Sequence, residues 1–181
     1  MTPSSTIWAG IAGRIDCLTA AAGRAAMWCA LIMVAVQFAV VLMRYLLGFG
    51  SIWLQETIVY AHAALFMLAA AWTLQQGGHV RVDIFYAGAA PRTKALIDLL
   101  GALVFLLPFA TAILWFSLPY VARSWTILER SRETSGLPLV FLLKSLIPLF
   151  AVFLGLQGAA QAIRAWQVLK GGAPAATGIE A

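Results

Sequence analysis

The chain has 181 residues, of which 62% are apolar and only 10% charged. A soluble domain carries about 45–50% apolar and about 25% charged residues, so most of this chain must meet lipid instead of water. Disorder is excluded by the same excess of apolar surface. The formal charge of +5 does not indicate nucleic acid, because the 12 basic residues are scattered between apolar blocks and form no stripe for tracking phosphates. They read as flanks that orient membrane spans.

Residues 1–24 read as an amphipathic interfacial arm. Ile7, Ile11, Ile15 and Leu18 recur at helical spacing, Trp8 suits headgroup depth, and Ser4, Ser5 or Thr6 can cap the start, although Gly10 and Gly13 interrupt the pattern. The first span is predicted over residues 25–47. It is uncharged as far as Met43, and Arg44 can snorkel at its end. Its apolar run is too long for a signal peptide and no A-x-A-like site follows, so it reads as a retained span. Cys17 and Cys29 form no CxxC pair and read as small packing residues.

The second span is predicted over 53–75, with Glu56 in its first turns, His62 deeper, and Gly77-Gly78 as the stop. The third covers 95–121. Pro91 is placed as a first-turn proline, Asp98 lies at the end of the helix dipole that favours an anion, and Pro108 is expected to kink the middle. The fourth covers 137–163, with Lys144 in its first third, Pro148 as a bend, and Ala151, Gly155 and Ala159 as a small-residue seam. The expected organisation is therefore an arm over 1–24, an all-α four-helix membrane domain over 25–166, and a flexible tail over 167–181.

Charge sets the expected orientation. Arg14, Arg24, Arg81, Arg92, Lys94, Arg164 and Lys170 fall on one side of the membrane, against Arg44, Arg123, Arg130 and Arg132 on the other, with Lys144 a fifth there. The positive-inside rule then places both termini in the cytoplasm. No convincing internal repeat links the two halves.

Ionisable groups deep in a bilayer are costly and therefore mark function. Only His62 lies deep here; Arg44, Glu56, Asp98 and Lys144 sit near span ends. An autonomous ion-coupled carrier would need carboxylates or a polar cavity near the midplane. Haem would want two facing ligands, but His62 and His79 are 17 residues apart on one segment, so His62 reads better as packed or hydrogen-bonded. No GxSxG, HExxH or glycine-rich phosphate loop appears, and Ser135-Gly136 has no histidine downstream to act as base. Neither a catalytic residue nor a cofactor or metal site is expected.

Two constellations remain. Trp53, Glu56 and Tyr60 lie close to one helix face, and both interface anchoring and a polar contact to a neighbour fit them. After the glycine pair, His79, Arg81 and Asp83 alternate with Val80, Val82 and Ile84, as in an extended exit from the helix; a solvated loop also fits.

These motifs carry a resemblance. Trp53-Leu54-Gln55-Glu56 opening the second span, Gly78-His79-Val80-Arg81-Val82-Asp83 closing it, Ala90-Pro91-Arg92-Thr93-Lys94 entering the third, and the last span with its lysine, proline and Gln157 resemble the small permease subunit of tripartite ATP-independent periplasmic (TRAP) transporters. The resemblance covers roughly residues 25–166. It implies a non-catalytic inner-membrane subunit that packs on a large permease subunit. It also implies a periplasmic substrate-binding protein and a sodium gradient driving uptake of a small organic acid. Trp53, Glu56, Tyr60, His79, Arg81, Asp83 and Gly155 are the candidate signature or subunit-contact residues. A rival reading is the membrane anchor of a respiratory oxidoreductase, against which the unpaired histidines count; a stand-alone exporter would need an acidic residue well inside a span.

Overall fold

The structure, a computed structural model, describes residues 3–79, 86 and 88–171. Four long helices account for almost all of them: α1 (Pro3–Leu46), α2 (Ile52–Gln75), α3 (Pro91–Thr126) and α4 (Val140–Leu169). There is no strand among the described residues. Each helix is long and apolar enough to cross a membrane, as the composition requires.

The expected amphipathic arm is corrected by α1, which runs unbroken for 44 residues through the predicted arm and the first span. Its first half carries no amphipathic stripe: Ile7, Trp8, Ile11 and Leu18 are exposed, while Ala12, Thr19 and Ala26 are buried. The physical cause is local. Residues 20–26, Ala-Ala-Ala-Gly-Arg-Ala-Ala, contain no proline and five alanines, the best helix former, beside Arg24, so nothing ends the helix there. At about 1.5 Å per residue α1 is roughly 66 Å long, about twice the hydrocarbon thickness.

The second helix matches its predicted bounds to within a residue. Ser51 caps it by accepting from the Leu54 N–H. At its far end Gly77 adopts φ +67, a left-handed conformation that glycine enters without a Cβ penalty, and the Gly78 N–H returns to the Thr73 carbonyl. Pro91 is the first residue of α3, where its missing N–H costs nothing. Just before Pro108 the helix widens into a π-segment over Gly101–Leu106, and the Leu107 N–H reaches back to the Ala102 carbonyl. That extra residue per turn gives room to the proline ring and the carbonyl it would otherwise strike. The fourth helix starts at Val140 instead of residue 137, because Pro138 has no N–H and both backbone groups of Leu137 are already committed, its N–H to Glu56 of α2 and its carbonyl to the Ser131 N–H.

α4 is central: it packs against α1, α2 and the whole of α3, whereas α1 packs mainly on α2. Small residues make this possible. Ala151, Gly158, Ala160, Ala162 and Ala165 are all buried along α4. The predicted small-residue seam is thus internal at this point, with a Cβ on Gly155 in ordinary contact with Ala110 at 3.6 Å. Gly23 of α1 sits directly against Trp72 of α2. The bulky apolar side chains instead point outward, for example Phe66, Phe105, Trp115 and Phe116. A bundle that contacts lipid gains from close backbone approach inside and apolar bulk outside.

Candidate functional site

Polar groups gather at the two ends of this bundle. One end holds the start of α2, the end of α3 and the start of α4. There Glu56, the fifth residue of α2, accepts a hydrogen bond from the Leu137 N–H at 2.5 Å and another from the Ser131 hydroxyl. The loop it captures is internally tied: the Ser131 N–H bonds the Leu137 carbonyl, the Glu133 N–H bonds Ser131 Oγ, and the Gly136 N–H bonds the Glu133 carbonyl. Position 136 must be glycine, since a Cβ there would lie 2.8 Å from Glu56 Oε1 and nearer still to Ser131. Glu56 is therefore a latch that fastens the α3–α4 loop to α2.

A second cluster lies beside it. Lys144 pairs with Glu129 at 2.5 Å and lies over the Tyr120 ring, 4.1 Å from its centroid. Ser124 donates to the same Glu129 oxygen at 2.7 Å. These bonds from Lys144 and Ser124 hold the Glu129 carboxyl below its ordinary range. Trp125 donates from Nε1 to Ser145 at 2.8 Å and meets Phe141 edge-on. The predicted Lys144 near the span end thus serves to close α3 onto α4.

The opposite end carries a network that sequence reasoning missed. Thr19, fully buried, donates to Gln157 Oε1 at 3.1 Å; Gln157 Nε2 donates to Asp16 Oδ1 at 3.2 Å; Arg164 pairs with Asp16 Oδ2. Gln75 Oε1 is also within 3.2 Å of the Thr19 hydroxyl. Three helices, α1, α2 and α4, meet at these side chains: the one Thr19 hydroxyl lies within reach of the amide oxygens of both Gln75 and Gln157, and Gln157 and Arg164 both donate to Asp16. The signal was present in the spacing: Asp16 and Thr19 are three residues apart, and Gln157 and Arg164 seven, so each pair shares a helix face. Near that end the Tyr86 hydroxyl donates to Asp98 at 2.8 Å.

The predicted site residues are dispersed. Glu56 and Tyr60 sit one turn apart, and the Tyr60 hydroxyl is buried with no hydrogen-bond partner among the described residues. Trp53 is exposed and contributes only its carbonyl, which accepts from Thr57. His79 is exposed past the end of α2, and Gly155 faces α3. Arg81 and Asp83 lie outside the described residues, as does the expected extended exit around them. His62, expected to be packed or hydrogen-bonded, is exposed and makes no hydrogen bond among the described residues. No cluster of metal-ligating side chains occurs among the described residues.

Glu56→Ala leaves the Leu137 N–H and the Ser131 hydroxyl without their acceptor. A hydrogen bond to a charged group contributes about 1.5–3 kcal/mol, and partial exposure places the loss near the lower figure. The expected result is a melting temperature lowered by several degrees and protease cutting within residues 131–137, with Glu56→Gln retaining most of the latch. Unchanged proteolysis in Glu56→Ala would show that the loop holds without it.

These features define a class: an all-α, four-span membrane protein whose polar side chains fasten its own helices and loops. Within that class the chain belongs to the family described as "Tripartite ATP-independent periplasmic transporters, DctQ component", which matches residues 33–168. It is a small membrane subunit of a TRAP transporter and a multi-pass inner-membrane protein. The match starts within α1, so the first 30 or so residues of that helix lie outside it. Comparison with curated proteins and with solved structures finds no match.

Proposed function

We propose that the subunit is a static, non-catalytic scaffold for the large permease subunit in sodium-driven, binding-protein-dependent uptake of a small organic acid. Both of its termini lie in the cytoplasm, and it binds no cofactor. The observation that carries this reading is how four of its seven carboxyl side chains are used. Asp16, Glu56, Asp98 and Glu129 each accept a hydrogen bond from the chain's own donors, near the bundle ends. Groups committed in this way stabilise one conformation and are not open to coordinate a passing cation or exchange protons with it. Sodium and an organic acid enter from the family, and specificity for the acid belongs to the other two components. The seven-to-four excess of basic residues supports the orientation.

Co-expression with the large subunit tests the scaffold role, and reporter fusions test the orientation. The two membrane subunits should copurify, and fusions after Gly77 should report a cytoplasmic position while fusions after Gly50 and Ser131 report the periplasm. A large subunit that folds and purifies equally well without this chain would contradict the scaffold, and periplasmic activity at Gly77 would reverse the topology.

A further inference from the structure

One face of α2 is left open by the fold and is wrong for lipid. Gln55, Val59, His62 and Phe66 recur at four- and three-residue steps and are all exposed. This is the seam spacing of a helix that packs on one further helix. His62 lies near the middle of the 24 residues of α2, at the depth of the bilayer centre. Ionisable side chains at that depth face protein or a water-filled cavity, because hydrocarbon offers no hydrogen bond. α1, paired with α2 on the same side of the bundle, also exposes Gln37 within its span.

The other flank contrasts with this one. Between Leu96 and Leu118 the exposed residues of α3 are apolar except Thr111, and the Thr111 hydroxyl is already bonded to the Leu107 carbonyl. Phe105, Trp115 and Phe116 are about three-quarters exposed there. The α3 flank is suited to lipid; the α2 face carries at mid-helix the unbonded His62, which lipid cannot satisfy, with Gln37 of α1 on the same side of the bundle.

We infer that the Gln55–Val59–His62–Phe66 face of α2 is the seam that receives a transmembrane helix of the large permease subunit, with His62 hydrogen-bonded to that helix at mid-membrane depth. This inference rests on the scaffold reading. It goes further by assigning the contact to one helix face and by assigning lipid to the α3 flank. Two features favour the large subunit as occupant. The transporter is built of three components, and the unmet demand is for a hydrogen-bonding group deep in the bilayer, which only another membrane-embedded component supplies.

The test is photo-crosslinking in membranes that contain the co-expressed subunits, with a benzophenone amino acid at Val59 or Phe66 and, as the control, at Phe116. Phe66 and Phe116 are comparably exposed, 68% and 75%, so accessibility alone does not separate them. The expected result is an adduct with the mass of the two subunits from Val59 and Phe66 and none from Phe116. His62→Leu should also reduce retention of the large subunit under detergent challenge by about threefold, the size of one interhelical hydrogen bond in a membrane, with His62→Gln restoring it. Adducts from Phe66 with lipid only, adducts with a second copy of this chain, or equal adducts from Phe116 would overturn the seam, as would unchanged retention in His62→Leu. If the wild-type subunits copurify while the adducts fall elsewhere, the seam alone fails. If they do not associate at all, the scaffold reading fails and the seam falls with it.

Discussion

Gly23→Leu is expected to force α1 away from α2 and to give the largest loss of stability of any single substitution in the bundle. A Cβ on residue 23 would sit 2.7 Å from both Cβ and Cγ of Trp72. The Trp72 Cβ is fixed by the α2 backbone, so no rotamer of Trp72 relieves that contact and the helices themselves must separate. One turn along α1, that separation would also pull the Thr19 hydroxyl from Gln75 and Gln157. Overpacking alone costs about 1–3 kcal/mol, and the attached network places Gly23→Leu at or above the upper figure. Gly23→Ala should show a smaller fall in melting temperature in the same direction. Trp72→Ala should relieve Gly23→Ala only in part, since it removes the ring atoms but keeps the Cβ at 2.7 Å, whereas Trp72→Gly removes both and should relieve it further, the two positions being coupled. A Gly23→Leu protein with the wild-type melting temperature would mean that the α1–α2 contact does not hold the bundle together.

Arg164→Ala is expected to be the next most damaging change. It leaves the Asp16 carboxyl half-buried, with Gln157 as its remaining partner. Breaking a fully buried pair costs about 3–5 kcal/mol because one charge is stranded. Here the two side chains are 22% and 27% exposed, and solvent screening lowers the expected loss to about 2 kcal/mol. The double substitution Asp16→Asn with Arg164→Ala should cost less than the sum of the two, because no charge is left stranded. Combining Arg164→Ala with Lys144→Ala, at the opposite end, should be additive. A melting temperature unchanged by Arg164→Ala would show that the amide–hydroxyl part of the network carries the junction unaided.

What could be read in the sequence follows from the physics of each feature. The spans from Ile52 to Gln75 and from Pro91 were legible because an uninterrupted apolar run, a first-turn proline and a glycine stop are local signals. Family membership was legible for the same reason: the motifs around Trp53, Glu56 and Gly78-His79 are contiguous. The first half of α1 was misread because the rule applied to it belongs to a helix lying at the membrane surface, where apolar bulk marks the buried face. In this bundle Ile7, Ile11 and Leu18 face outward and the inner positions are Ala12, Thr19 and Ala26, so looking for the bulky residues selected the wrong face.

The long-range partnerships were hidden. Glu56 was singled out correctly as a polar group at a helix start, yet its partners lie 75 and 81 residues away in a loop whose shape no local pattern encodes. Arg164 was counted only as an orienting charge, although its spacing to Gln157 placed both on one face and Asp16 was the nearby carboxyl on α1. His62 shows the reverse case. Its depth was readable from the chain, but which way it pointed depended on how α2 packs against α1 and α4.

Substrate flux into proteoliposomes measures most directly whether the subunit is a required scaffold that transports nothing itself. Vesicles should be prepared with this subunit alone, with the large subunit alone, and with both, each with the binding protein and an inward sodium gradient. Uptake is expected only when all components and the gradient are present together. Sodium-driven uptake by this chain alone, or full-rate uptake by the large subunit without it, would contradict the scaffold role.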